Sequence, residues 1–249
     1  MHESRYFAVI PAAGVGARLG AGLPKQYLEI AGKPILRWAV DALCAAPWIE
    51  RIVVVVAPGD SVACGLLRGL QQVRVSDEGG ATRRDSVLAG MCALGPLAAA
   101  QDWILVHDAA RPGLGIRELE ALRAFAESPV ARATPEAGAL LGLQATDTIK
   151  RAVPGVGAVR VAETIPRDRV WMAQTPQMFR AGVLRTALEH HPDVTDEAAA
   201  MEASGHPVHL VPGSRTNFKV TEALDLDLMR AVLANRSATE SVDKGALQQ

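Results

Sequence analysis

The sequence lacks any excess of charge: 26 lysines and arginines stand against 27 aspartates and glutamates, a formal net charge of −1. A general nucleic-acid binder needs a basic surplus on one face, so that class is excluded and any anion site must be local. Cysteine is scarce. Cys44, Cys64 and Cys92 are odd in number and have no C-x-x-C spacing, which argues against a disulfide framework or a zinc site and predicts small buried side chains. Long hydrophobic runs are missing too. The opening MHESRYF has no apolar signal core, and the longest β-branched run, IVVVVA at 52–57, is too short to cross a bilayer. These absences predict a soluble, cytoplasmic protein with no membrane partner. The six histidines are scattered, and the pair His190–His191 before a proline reads as a helix end.

What is present begins with VIPAAGVGARLGAGLPKQY at 9–27, a strand-like run that opens into four glycines. Glycine lets backbone N–H groups close around a phosphate, because it tolerates angles and approaches that a Cβ forbids. Two standard fingerprints fail here. The dinucleotide pattern needs a third glycine at 19, where Leu19 stands, and the P-loop needs Gly-Lys-Ser/Thr, whereas Gly20 is followed by Ala21 and Gly22. What remains is a loop with Arg18 and Lys25 seven residues apart and no acid between them, which suits the spread oxygens of a triphosphate. The competing reading is a tight turn with solvated cations.

The 249 residues are enough for one large domain or two small ones. Strand and helix signals alternate along them. FAVIPA (7–12), RIVVVVAP (51–58), VRVSD (73–77) and DWILVHD (102–108) read as buried strands. Helices are predicted at 34–46, near 60–71, at 83–94 and at 116–127. This alternation implies an α/β fold, a Rossmann-like, mostly parallel sheet with helices on both faces, and ligands bind at the carboxyl ends of such strands. The charged segments fall at those ends. Asp108, just past a buried strand and followed by Arg111, suits a divalent cation beside a phosphate, or else starts a turn and pairs with Arg111. Gly79 and Gly80 with Ser86 suit a base or ribose, or else a plain turn and helix N-cap.

From about 138 to 170 the period changes to two around a central PGVG, which predicts a long β-hairpin arm. So thin an arm needs a partner surface, and Thr148 and Arg167 on it either face solvent or reach another subunit. A helix follows at 194–205 with Thr195 as N-cap and Gly205 past its end, then a strand PVHLVPG, Lys219 and a final helix. Residues 236–249 read as a flexible tail.

Taken together, PAAGVGARLGAGLPKQY, GGATRRDSV, VHDAARP, ATDTIK, TPQMF, TDEA and NFKVT, in that order, closely resemble the 2-C-methyl-D-erythritol 4-phosphate cytidylyltransferase family, over roughly 7–233. The resemblance implies one nucleotidyltransferase domain over 1–235, a homodimer joined through the arm, and transfer of CMP from CTP to a methylerythritol phosphate. It implies Arg18, Lys25 and Lys219 as catalytic cations, and a cytidine pocket of Pro11, Ala12, Ala13, Gly14, Gly16, Gly80, Ala81 and Ser86. Acceptor contacts would come from Asp108, Ala109, Arg111, Thr148, Arg167 and Thr175, with Mg²⁺ near Asp108. Other readings are a ribitol 5-phosphate cytidylyltransferase and a non-catalytic nucleotide-binding regulator on the same fold.

Overall fold

The computed structural model describes residues 4–14, 24–155 and 158–246. The first half of the chain builds the parallel part of the sheet. β1 (Tyr6–Pro11) leads past a small antiparallel pair, β2 (Glu29–Ile30) and β3 (Lys33–Pro34), into α1 (Ile35–Cys44). Next come β4 (Ile49–Val55), α2 (Val62–Leu66), β5 (Val73–Ser76), α3 (Arg83–Leu94), β6 (Trp103–Val106), α4 (Ile116–Ala126) and α5 (Pro129–Ala133). The second half supplies β7 (Gly138–Gln144), β8 (Ile149–Ala152), β9 (Val161–Ile165) and β10 (Trp171–Arg180). It ends with α6 (Ala181–His190), α7 (Glu197–Ala203), β11 (Val208–Pro212) and α8 (Ala223–Ala246).

Seven strands form the central sheet in the order β11-β7-β10-β6-β1-β4-β5. Only β10 runs antiparallel to its neighbours, so the α/β, mostly parallel architecture expected from the alternation is the one observed. The period of two along β1 decides which helices it meets. Tyr6, Ala8 and Ile10 join α1 and α4 through Leu36, Val40, Leu119 and Leu122, whereas Phe7 and Val9 join α3 and α6 through Val87, Met91 and Leu184. A third cluster, Ile30, Ile35, Val220, Met229 and Leu233, seats α8 against the β2–β3 turn.

Several local expectations change. The helix near 60–71 is only the five residues of α2, because Gly65 weakens its last turn and Gly69 turns left-handed (φ 87°) behind it. The long hairpin is two things. β7 belongs to the central sheet, where it lies between β11 and β10, and only β8 and β9 pair as a separate two-stranded ribbon. The period of two was common to both, so it did not show where the sheet stopped. The N-cap of α7 is Asp196, whose carboxylate accepts from Ala199 N, and not Thr195; Gly205 does close that helix, with φ 76°. α8 continues to Ala246, where a tail from 236 was expected, since no helix breaker intervenes before Gly245. Cys44 is half-buried and its thiol is pushed up by burial, but Cys64 and Cys92 are exposed, on the outward faces of α2 and α3. Among the described residues no helix is long and apolar enough to cross a membrane.

Candidate active site

A cleft of about 320 Å³ opens at the carboxyl ends of β1 and β6, where a doubly wound sheet binds ligands. Its walls come from three connections. Pro11, Ala12, Ala13 and Gly14 leave β1; Gly80, Ala81, Thr82, Arg83 and Ser86 form the entry to α3; Asp108, Ala109 and Ala110 follow β6. Lys25, Gln26 and Lys219 complete it.

Close approach explains the glycines on the α3 side. A Cβ on Gly79 would stand 2.4 Å from both Ala13 Cβ and Val56 O, and one on Gly80 would stand 2.3 Å from Asp85 Cβ. The turn therefore lies flat against the end of β1 and leaves a shallow, small-residue wall. α3 then starts with a capping box: Thr82 Oγ1 accepts from Asp85 N at 3.1 Å, and Thr82 N donates to Asp85 Oδ2 at 3.2 Å. The N-cap is thus Thr82. Ser86, buried at the wall, donates to Thr82 O.

Lys25 is the first residue of a 3-10 turn, Lys25–Tyr27, whose other two members are anchors. Gln26 Nε2 donates to Ala12 O at 2.9 Å, and Tyr27 Oη donates to Asp60 Oδ2 at 2.5 Å. Burial, and then Asp60, raise the Tyr27 pKa well above its ordinary value, so the phenol stays a donor. Lys25 itself donates to Val220 O at 3.1 Å. On the facing wall Val220 N donates to Ala110 O at 2.8 Å, and this bond brings Lys219 opposite Asp108.

Asp108 is the electrostatic centre. Lys219 Nζ lies 2.9 Å from Oδ2, Arg83 Nε lies 3.1 Å from Oδ1, and Arg111 Nε lies 3.6 Å from Oδ2. Burial alone would raise the pKa of this carboxyl, but Arg83, Lys219 and Arg111 together hold it well below the usual range. With Lys25 nearby, cations outnumber carboxylates along the cleft, an arrangement that attracts a polyanion. Among the described residues Asp108 is the only acid lining the cleft, both its oxygens are engaged, and there is no cluster of three metal-ligating side chains. A Mg²⁺ ion fits here as a passenger on a triphosphate, not as an ion caged by protein.

Behind Asp108 runs a hydrogen-bonded chain. Asp108 N donates to Thr175 Oγ1 at 3.0 Å, and Thr175 Oγ1 lies 3.0 Å from His107 Nδ1. His107 Nε2 lies 3.2 Å from Arg111 O, which can only accept. The tautomer follows: Nε2 carries the hydrogen, Nδ1 accepts, and the Thr175 hydroxyl donates to it. Full burial lowers the His107 pKa to about 4, which keeps the ring neutral. β10 supplies Thr175 where its ladder with β7 is interrupted between Ala173 and Gln177, at Pro176, which has no N–H to give.

Of the residues singled out in the sequence, Lys25, Lys219, Pro11, Ala12, Ala13, Gly14, Gly80, Ala81, Ser86, Asp108 and Ala109 all line this cleft. Arg18 and Gly16 lie outside the described residues. Arg111 is committed to protein: besides its 3.6 Å ion pair with Asp108 it donates to Asn217 O at 2.8 Å. Thr175 is buried beneath Asp108 and does not line the cleft. Thr148 and Arg167 are exposed near the foot of the β8–β9 ribbon and do not line the cleft either; Arg167 donates to Thr146 O. Sequence reasoning missed Arg83, Gln26, His107, Glu197 and Asn217. Arg83 and Arg84 were indistinguishable as neighbours, and only the phase of α3 turns the first toward Asp108 and the second toward Leu188 O.

The model of the 2-C-methyl-D-erythritol 4-phosphate cytidylyltransferase family matches residues 6–235. The cytidylyltransferase of that name from Azoarcus sp. (strain BH72) is 46% identical over 244 residues, 95% of this chain and 97% of that relative. The one from Dechloromonas aromatica (strain RCB) is 47% identical over 93% of this chain and 99% of its own length. Among solved structures, a 4-diphosphocytidyl-2C-methyl-D-erythritol synthase superposes with a TM-score of 0.78 at 36% identity, covering 93% of this chain and all of the other. The Francisella tularensis 2-C-methyl-D-erythritol 4-phosphate cytidylyltransferase gives 0.75 at 31% identity, covering 92% of this chain and all of its own. A polyanion cleft at the strand ends, the matched span and these likenesses agree: the chain belongs to the 2-C-methyl-D-erythritol 4-phosphate cytidylyltransferase family.

Proposed function

We propose that the protein transfers CMP from CTP to 2-C-methyl-D-erythritol 4-phosphate, giving 4-diphosphocytidyl-2-C-methyl-D-erythritol and pyrophosphate for isoprenoid precursor synthesis. The observation that carries this reading is the cation-rich cleft around Asp108, in a chain whose family model spans residues 6–235. An oxygen of the acceptor phosphate attacks the α-phosphorus of CTP. A new P–O bond forms as the α–β bridging bond breaks, and its electrons leave with pyrophosphate.

Such a reaction asks for alignment and charge stabilisation more than for covalent chemistry. Lys25, with Arg18 of the glycine loop, grips the triphosphate and stabilises the charge that grows on the transferring group. Lys219 approaches from the opposite wall. Cytosine and ribose lie against Pro11, Ala12, Ala13, Gly14, Gly80, Ala81 and Ser86, a wall of small side chains and backbone too shallow for a purine, and Gly16 is assigned to the same pocket from the family resemblance alone. Asp108 is the residue that would lie beside a Mg²⁺ ion brought with CTP, which when bound would supply charge neutralisation of the phosphates. Asp108 and Ala109 face the acceptor, while Arg111 and Thr175 support that wall from behind.

Thr148 and Arg167 are proposed to serve the acceptor site of a second copy of the chain, in a homodimer whose ribbons cross. Their support is exposure at the foot of a two-stranded ribbon, away from their own cleft. Two phosphorylated substrates suit a cytoplasmic enzyme. The test is a pyrophosphate-release assay that crosses CTP, UTP and ATP with methylerythritol 4-phosphate and ribitol 5-phosphate, in Mg²⁺. Strong preference for CTP with methylerythritol phosphate is expected. No release above background with that pair at micromolar enzyme overturns the reading.

A further inference from the structure

The network around Asp108 continues into α7. Glu197, the first residue of that helix, has 0% exposure, and an ionised carboxylate so placed is costly unless paired. Its Oε1 meets Arg83 Nη1 at 2.5 Å, and its Oε2 is buried without a hydrogen-bond partner. An acid in the first turn of a helix suits its dipole, but that alone does not call for a fully buried one. Asp196 already caps α7, and Ala198, Ala200 and Met201 supply its apolar contact with the core. Burial raises the pKa of Glu197, and Arg83 opposes that rise.

Arg83 lines the cleft. Its Nε is held by Asp108 and its Nη1 by Glu197, which leaves Nη2 with no protein partner among the described residues. A guanidinium is a rigid planar fork, so fixing two of its nitrogens fixes where the third points. Without Glu197 the fork is free to turn two nitrogens onto Asp108, which would also disturb the Asp108–Lys219 pair at 2.9 Å.

We propose that Arg83 is a further substrate-binding residue, presenting Nη2 to an anionic phosphate oxygen in the cleft, and that Glu197 is the positioning residue that aims it. The inference rests on the cytidylyltransfer reading above and adds an arginine and a buried acid to its machinery.

The experiment is a cycle of Arg83→Ala, Glu197→Gln and the double variant, each checked by circular dichroism and thermal melting. Pyrophosphate release is measured with CTP and methylerythritol phosphate varied separately. Glu197→Gln keeps the shape but not the charge, and kcat/KM is expected to fall about fivefold or more. Arg83→Ala should cost more, and the double variant no more than Arg83→Ala alone, because Glu197 acts through Arg83. Stability should move the other way. Arg83→Ala strands a buried carboxylate, so adding Glu197→Gln should raise Tm above that of Arg83→Ala. A Glu197→Gln enzyme within about twofold of wild type in kcat/KM, or losses that multiply in the double variant, overturns the inference. A wild-type protein inactive with this substrate pair overturns the parent reading instead. In that event the same cycle is read in CTP affinity by calorimetry, where an unchanged Kd in Arg83→Ala overturns the inference on its own.

Discussion

Lys25 reaches the cleft from a three-residue turn whose neighbours, Gln26 and Tyr27, are both tied down, so its ammonium is placed before any substrate arrives. Preorganised charge is what a phosphoryl-transfer site needs. Lys25→Ala should therefore lower kcat about a hundredfold or more, equivalent to about 2.7 kcal/mol of transition-state stabilisation, with the fold intact. An unchanged kcat in steady-state assays would return the loop to a solvated turn. His107 gives a different kind of prediction. Its folded-state pKa is about 4, whereas the unfolded chain carries a histidine near 6.5, so the unfolded state binds more protons between those values. Stability therefore falls as pH drops through this window. Urea unfolding at pH 7 and pH 5 should differ by about 2 kcal/mol from this residue. His107→Asn, which no longer titrates, should remove that share of the slope. Asp108 acts in a lower range: its depressed pKa contributes stability above the usual carboxylate range, and the contribution is lost only as pH falls below about 4.

At the scale of the element, α3 carries the argument. Its boundaries, Arg83–Leu94, were legible because a capping sequence precedes a helical apolar period and Gly95 follows. Its closeness to the sheet was not. Gly90 sits where a Cβ would stand 2.5 Å from Val9 Cγ1 and 2.9 Å from Val55 Cγ2, inside the fully buried layer between α3 and the strands. Helix propensity favours Gly90→Ala, yet overpacking opposes it, and overpacking wins because both clashing methyls belong to buried, χ1-stiff valines. Gly90→Ala is expected to destabilise by about 1–3 kcal/mol in chemical unfolding. Since α3 carries Arg83 and the nucleotide wall at its start, a shift of that helix should also weaken CTP binding. A more stable variant would show that the layer yields.

For the whole molecule the open question is the β8–β9 ribbon. Most of its residues are exposed, Val161 in β9 at 55%, and Val159 in the connection before β9 is 84% exposed. A lone two-stranded ribbon is marginal in water, and the proposed dimer would give it a partner surface. If ribbons cross in a two-fold dimer, Lys25→Ala and Arg167→Ala chains, each inactive alone, should complement when unfolded, mixed and refolded together. Random pairing gives about half mixed dimers, each with one site free of both defects, so roughly a quarter of wild-type activity should return. Sedimentation should show a dimer. No recovered activity from a refolded dimer means each ribbon serves its own chain.

The sequence by itself determined the parallel sheet, because β-branched runs alternating with amphipathic helices have few other ways to bury both faces. It also determined that Lys25, Asp108 and Lys219 would meet at one edge of the sheet, because each follows a strand signal and the fold gathers strand ends. Only the tertiary structure decided what those charges meet. Asp108 pairs with Arg111 three residues on, a contact the local pattern offered, but it also meets Arg83 and Lys219 from two distant segments, and no local pattern encodes that meeting. The same holds for β7 and β8, alike in period: β7 is sheet because β10 and β11 flank it, and β8 is ribbon because only β9 does. Periodicity reports which faces a segment can bury, and the rest of the chain decides what buries them.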